Sequence, residues 1–173
     1  MPSLLSSMLE TPVLSRIRRN HGLEHATLHI LAQRNPRLNM AGHSTAAGFR
    51  LAGNIPTEAV QAAVEEALTR LRAGERQLAI HPNCGTNFVT AGMLSGLAGA
   101  SAMLGVGGRT RDKLERLPLA AMLATLALIA ALPLGLQIQR DVTTSGQPGD
   151  LQVVSISRME RGGLVIHFVQ TQG

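Results

Sequence analysis

The chain has 173 residues, enough for one domain with a substantial core and too few for two large ones. Hydrophobic residues make up 45% and charged residues only 16%, a balance that points towards a membrane, and the net charge of +5 is spread along the sequence among three Phe and neither Trp nor Tyr. With no dense basic tract and no stacking aromatics, nucleic acid is excluded as the expected partner, and the single cysteine, Cys84, can form no internal disulfide.

In chain order, the opening MPSLLSSMLE lacks the basic start and long apolar run of a cleaved signal. Thr11 as cap and Pro12 at the first helical position predict a helix that stops near Asn35, because Pro36 disfavours helical geometry in the residue before it. Leu14, Ile17, His21, Glu24, Leu28 and Leu31 fall at helical spacing on one seam, so His21 and Glu24 are expected to face inward. In GFRLAGNI, Phe49, Leu51 and Ile55 alternate with Arg50, Ala52 and Asn54, the period of a half-buried strand over residues 48–55. TEAVQAAVEEALTRLRAGE reads as an amphipathic helix, capped by Thr57, with Val60, Val64, Ala67, Leu68 and Leu71 inward and Gly74 as its stop.

After LAIHPNCGTN the charge disappears. Residues 88–108 carry none and space Gly92, Gly96 and Ala100 four apart, a pattern that lets membrane helices, or copies of one helix in a homo-oligomer, approach closely. Residues 117–136 form a second uncharged run, about the length that spans ~30 Å of hydrocarbon. With RTRDKLER as a short charged loop between them, the two runs predict a transmembrane hairpin in a lipid bilayer. The tail returns to soluble patterning: LQVVSIS and LVIHFVQT around RMERGG predict a β-hairpin that pairs with the strand at 48–55. His167, out of phase with Ile166 and Phe168, is expected on its solvent side. Basic residues are balanced across the hairpin, so sidedness rests on the missing signal and the unpaired Cys84, which favour an inner-membrane protein with its folded part cytoplasmic.

Four polar groups, His21, Glu24, His25 and His29, interrupt the apolar first helix at NHGLEHATLHILAQ. HGLEH has the form H-x-x-E-H, the inverse of the zinc-protease motif: two imidazoles one turn apart reach one metal, and Glu24 beside them can take a proton from water held there. HPNCGTN supplies a second donor cluster, His81 and Cys84, on a Pro- and Gly-shaped turn. Cys84 is the favoured third ligand, because thiolate binds zinc more strongly than imidazole, with His81 as a further donor. Asn83, Thr86 and Asn87 either orient ligands or substrate or simply cap the turn. His29, rotated by about 80° from His21 on an ideal helix, and His43 are read as structural.

These two clusters, H-G-x-E-H and H-P-x-C-G-T-N followed by Phe88 and a hydrophobic span, resemble the pattern of bacterial membrane proteins of a domain-of-unknown-function family, similar to YqhQ-like metal-dependent enzymes. The resemblance covers residues 16 to 106 and implies an integral membrane protein with a metal site. It supplies no reaction, and the downstream glutamate ligand of the large inverted-motif peptidases has no counterpart here.

The expected architecture is an α+β metal-binding domain interrupted by a helical hairpin: residues 1–87 as the N-terminal region, 88–136 as the transmembrane hairpin, and 137–173 as a linker and β-hairpin completing the soluble part. The expected function is a membrane hydrolase, such as a peptidase, dependent on zinc or a similar divalent ion, with Glu24 catalytic and an unidentified substrate or protein partner. The alternative is a binding or assembly protein in which the same His and Cys residues hold a structural metal.

Overall fold

A computed structural model describes residues 4–173, so the first three residues of MPSLLSSMLE lie outside the described residues. In order, the elements are α1 (Leu4–Leu9), α2 (Pro12–Arg34), β1 (Ala41–Thr45), β2 (Gly48–Ala52), α3 (Thr57–Arg72), α4 (Gly85–Ala102), α5 (Thr110–Ile138), β3 (Gln152–Arg161) and β4 (Leu164–Gln172). A 3-10 turn at Arg76–Ala79 and a π-helical turn at Gln139–Thr143 complete them. The chain forms two compact units, one made of residues up to His81 together with Arg140–Gly173, the other of Pro82–Gln139.

The first unit is a mixed α+β layer structure. Its antiparallel sheet has the order β1-β2-β4-β3, so β2 pairs with the tail strand β4, Phe49 opposite Val169 and Leu51 opposite His167. Helices α2 and α3 pack together over this sheet, because each carries an apolar stripe that must be covered. Leu23, Ala26, Ile30 and Leu31 from α2, Val60, Val64, Ala67 and Leu71 from α3, and Phe49, Leu51 and Val169 from the sheet make one core. The expected inward face of α3 is found as read, while the strand expected over 48–55 keeps Phe49 and Leu51 inward but ends at Ala52, leaving Ile55 buried beyond it.

Several expectations are corrected. Thr11 is the N-cap residue of α2, as expected, but its hydroxyl donates back to the Met8 carbonyl at 2.8 Å instead of capping the helix, and Thr57 is not a cap, since α3 begins at Thr57 itself behind Pro56. β1 was not anticipated, since AGHST has no apolar alternation; it is an edge strand, largely exposed. His167 is fully buried, not on the solvent side. Val165, His167, Val169 and Thr171 form the inner face of β4, while Ile166 and Phe168 are half-buried on the outer face, where Arg50 lies 5.0 Å above the Phe168 ring. The phase suggested by the two bulky apolar residues was inverted because an arginine covers one of them. Gly162 and Gly163, at φ +59° and +77°, make the two-residue turn of this hairpin.

The second unit is a helical hairpin, α4 packed on α5. RTRDKLER is not a loop: the chain turns before it, and Thr110 to Arg116 form the first turns of α5, supported by an Arg111–Glu115 ion pair at 2.9 Å one turn apart. Gly99 is the small residue that meets α5, at Ala120 and Ala124, whereas Gly92 and Gly96 face open space and do not serve the α4–α5 contact. Among the described residues one helix, α5 with its π-helical continuation, is long and apolar enough to cross a membrane, by length and composition, and only 11% of its apolar window is buried. At 18 residues α4 is shorter, about 27 Å, and mixed with Thr, Asn and Ser.

Candidate metal centre

His21, Glu24 and His25 lie in the middle of α2, where the helix is most enclosed. His25 and Glu24 are buried and His21 is half-buried. Gly22 between them is required by packing: a Cβ there would come within 2.0 Å of the Ser145 carbonyl oxygen. The segment following the π-helical turn thus lies directly on α2, with the Ser145 amide donating to the Arg18 carbonyl at 2.9 Å. Asn20, fully buried, anchors the helix to the sheet by donating to the Thr45 carbonyl at 2.9 Å and accepting from the Thr171 hydroxyl at 2.7 Å.

Backbone carbonyls set the tautomers of the two histidines. His21 Nδ1 lies 2.9 Å from the Thr143 carbonyl oxygen and His25 Nδ1 lies 2.8 Å from that of Ala79. A carbonyl can only accept, so each Nδ1 carries the proton and each Nε2 is the basic nitrogen. The rings are 4.3 Å apart, and ligand nitrogens of the two lie within 4.8 Å of each other. Imidazoles held by one nitrogen on a backbone carbonyl and presenting the other are arranged as metal-binding histidines commonly are.

His29 differs, as its placement on the helix suggests. Its Nε2 donates to the Ile80 carbonyl at 2.9 Å, the opposite tautomer, and its ring lies 4.8 Å from that of His81, tilted by 51°. His81 also lies 5.6 Å from His25, and burial, with His29 and His25 adding to it, lowers its pKa to about 4. His81 is therefore neutral at physiological pH. His43 is exposed on β1. Glu24 accepts a short hydrogen bond from the Ser44 hydroxyl and packs on Gly42, where a Cβ would sit 2.0 Å from Glu24 Oε1. The carboxylate is thus held against β1 by contacts that only glycine and a small hydroxyl residue permit.

In the helical unit, Cys84 is the N-cap of α4, buried, with its sulfur accepting from the Thr86 amide at 3.5 Å. Asn87 closes the same turn by donating to the Pro82 carbonyl at 2.7 Å, and its Oδ1 accepts from Gln139 at 2.7 Å. The side chain of Asn87 is therefore engaged in joining the start of α4 to the end of α5. Thr86 accepts at its carbonyl from the Thr90 hydroxyl at 2.8 Å, and Asn83 is exposed in the turn.

The family model of a domain of unknown function, DUF6391, matches residues 16–156. The chain belongs to the DUF6391 family. The DUF6391 match takes in α2 with its histidines, the His81 to Cys84 turn, both helices of the hairpin and part of β3. An uncharacterised protein of the cyanobacterium Picosynechococcus sp. is 37% identical over 165 residues, covering 89% of this chain and 78% of its own length. No solved structure matches.

The sequence did not point to Ser44 or Gly42, nor to the carbonyls of Thr143 and Ala79, and gave Gly22 only as a member of H-G-x-E-H. The glycines carried one usable signal: in a helix interior glycine costs about 1 kcal/mol relative to alanine, so Gly22 between two histidines implied a close neighbour.

Proposed function

We propose that this protein is a metal-dependent membrane hydrolase in which His21, His25 and Cys84 hold one zinc or similar divalent ion and Glu24 is the general base. The observation that carries the reading is the paired orientation of His21 and His25, one helical turn apart and each with Nδ1 on a backbone carbonyl. Cys84, three residues past His81 in the sequence, would complete a His2Cys donor set suited to zinc. Three protein ligands leave a coordination position open, as a catalytic zinc requires and a structural one does not. An ion held there would supply Lewis-acid polarisation and acidify water. Glu24 would accept the proton from the attacking water while Ser44 fixes its orientation. The motif likeness to YqhQ-like metal-dependent enzymes belongs to this same reading, as does a bilayer crossed by the α4–α5 hairpin of an inner-membrane protein.

One observation favours a second reading. The Ser44 bond and the Gly42 contact give the Glu24 carboxylate a structural occupation on β1. A metal held by His21, His25, Cys84 and His81 would then pin the fold without catalysis.

Metal analysis of detergent-purified protein separates these from no metal at all: about one ion per chain is expected, falling sharply in His21→Ala and His25→Ala and unchanged in His43→Ala. Absence of bound metal in wild type overturns both readings. Glu24→Gln then decides between them. A hydrolase keeps its metal and fold and loses function in a deletion-complementation assay, whereas complementation equal to wild type sinks the hydrolase.

A further inference from the structure

A cleft of about 630 Å³ opens in the α+β unit between the N-terminal half of α2, the Arg76–Ala79 turn and residues 140–147. Arg18, Arg19, Arg76 and Arg140 line it, against a single carboxylate, Glu10. Arg19 is neutralised by Asp150 at 2.5 Å. The other three guanidiniums have no carboxylate partner among the described residues.

Neutral oxygens hold two of them in place. Arg18 Nη2 donates to the Asp141 carbonyl at 3.1 Å, and its buried Nε has no hydrogen-bond partner among the described residues. Arg76 donates from both Nη atoms to the Gln147 amide oxygen, at 2.9 and 2.8 Å with that oxygen turned towards it. Gly146 makes this possible, since a Cβ there would meet Arg76 backbone atoms at 2.8 and 2.9 Å. Carbonyl and amide oxygens fix a guanidinium without cancelling its charge. Three like charges facing one concavity are unfavourable unless an anion joins them, and the guanidinium fork matches a phosphate's terminal oxygens. A carboxylate, with one charge and two oxygens, would leave the third arginine unmatched.

We propose that this cleft binds a terminal phosphate group, clamped by Arg18, Arg76 and Arg140, whether borne by a soluble ligand or by a lipid headgroup. The site is independent of the metal reading and would survive its failure. Arg76 and Arg140 are exposed, so replacing either leaves the core intact.

The test is thermal unfolding of the full chain in neutral detergent, titrated with inorganic phosphate and, separately, with dihexanoyl phosphatidic acid. Sodium chloride at matched ionic strength and dihexanoyl phosphatidylcholine are the controls. A saturable rise in unfolding temperature is expected with one or both phosphate probes. Arg76→Gln and Arg140→Gln should each weaken it about tenfold, the scale of one charge-assisted hydrogen bond. A response to inorganic phosphate identifies a soluble source, and a response to phosphatidic acid alone identifies a headgroup. No saturable response, an equal response to the controls, or unchanged affinity in Arg140→Gln overturns the site; the last outcome would mean that phosphate binds elsewhere, for instance at a metal.

Discussion

The α+β unit and the helical hairpin use the same apolar side chains in opposite ways. In the first, Phe49, Leu23, Leu51, Ile30 and Leu31 are at most 1% exposed; in the second, Phe88, Met93, Leu97, Leu126, Ile129 and Leu132 are each more than half exposed. Burial of large apolar groups is the main favourable term in a water-soluble fold, and a monomer rarely leaves so continuous an apolar surface uncovered. Pro118 and Pro133 inside α5 add to the contrast, since proline in a helix interior is more frequent in membrane helices than in soluble ones. The difference teaches that burial alone does not account for both units, and on the membrane reading proposed above the second would have lipid, not water, as its solvent.

The largest effect should come from making the second unit unfit for its solvent. Leu126→Arg combined with Ile129→Arg places two charges in the apolar run of α5, at about 2.5–3.5 kcal/mol each in a bilayer centre. The double variant should be lost from the carbonate-resistant membrane fraction that holds wild type. If wild type itself is recovered without detergent in the soluble fraction, the two-solvent comparison collapses.

A smaller effect is expected in the unit that excludes water. Phe49→Ala empties the centre of the sheet face and should destabilise it by about 3–5 kcal/mol in denaturant unfolding, without changing membrane retention. Loss of both together would show that the two units are not separable.

The smallest effect sharpens the account of that core. Burial, with Arg158 adding and Glu58 opposing, lowers the pKa of His167 from its ordinary 6.5. The folded imidazole therefore binds a proton less readily than the unfolded one, so stability is level above about pH 6.5 and declines as pH falls towards the folded pKa, by at most about 1.4 kcal/mol per pH unit. His167→Gln should flatten this part of the profile relative to wild type, measured by urea midpoints between pH 7.5 and 5.5. An unchanged slope would assign the decline to other groups.

Elements governed by local periodicity were legible in the sequence. The bounds of α2, the inward face of α3, the strand around Phe49 and the tail hairpin all follow from spacing and from Pro36, Gly162 and Gly163. What spacing could not show was set by neighbours distant in sequence. His167 went inward because Arg50 covers Phe168 from another strand, and β1 exists because Ser44 pairs with Phe49 although its own residues carry no pattern. Of the site, H-x-x-E-H located His21, Glu24 and His25, while the carbonyls that set their tautomers come from residues 79 and 143, whose side chains take no part. A backbone donor or acceptor has no signature in the amino-acid alphabet. The arginine cleft was hidden for a related reason: Arg18, Arg76 and Arg140 are dispersed in sequence and meet only in the fold.

The sheet also dictates an order of events during synthesis. β2 is flanked by β1, made just before it, and by β4, translated only after both helices of the hairpin. While the ribosome makes α4 and α5, the nascent N-terminal region has β1 and β2 but not β4, so one edge of β2 still awaits its partner. Loop closure over so long an insertion is slow compared with local helix formation. Helices α2 and α3 can therefore assemble early, but the sheet that carries Ser44 to Glu24 is completed last, and a chain interrupted after α5 would present an open strand edge to the chaperones and proteases that patrol for one.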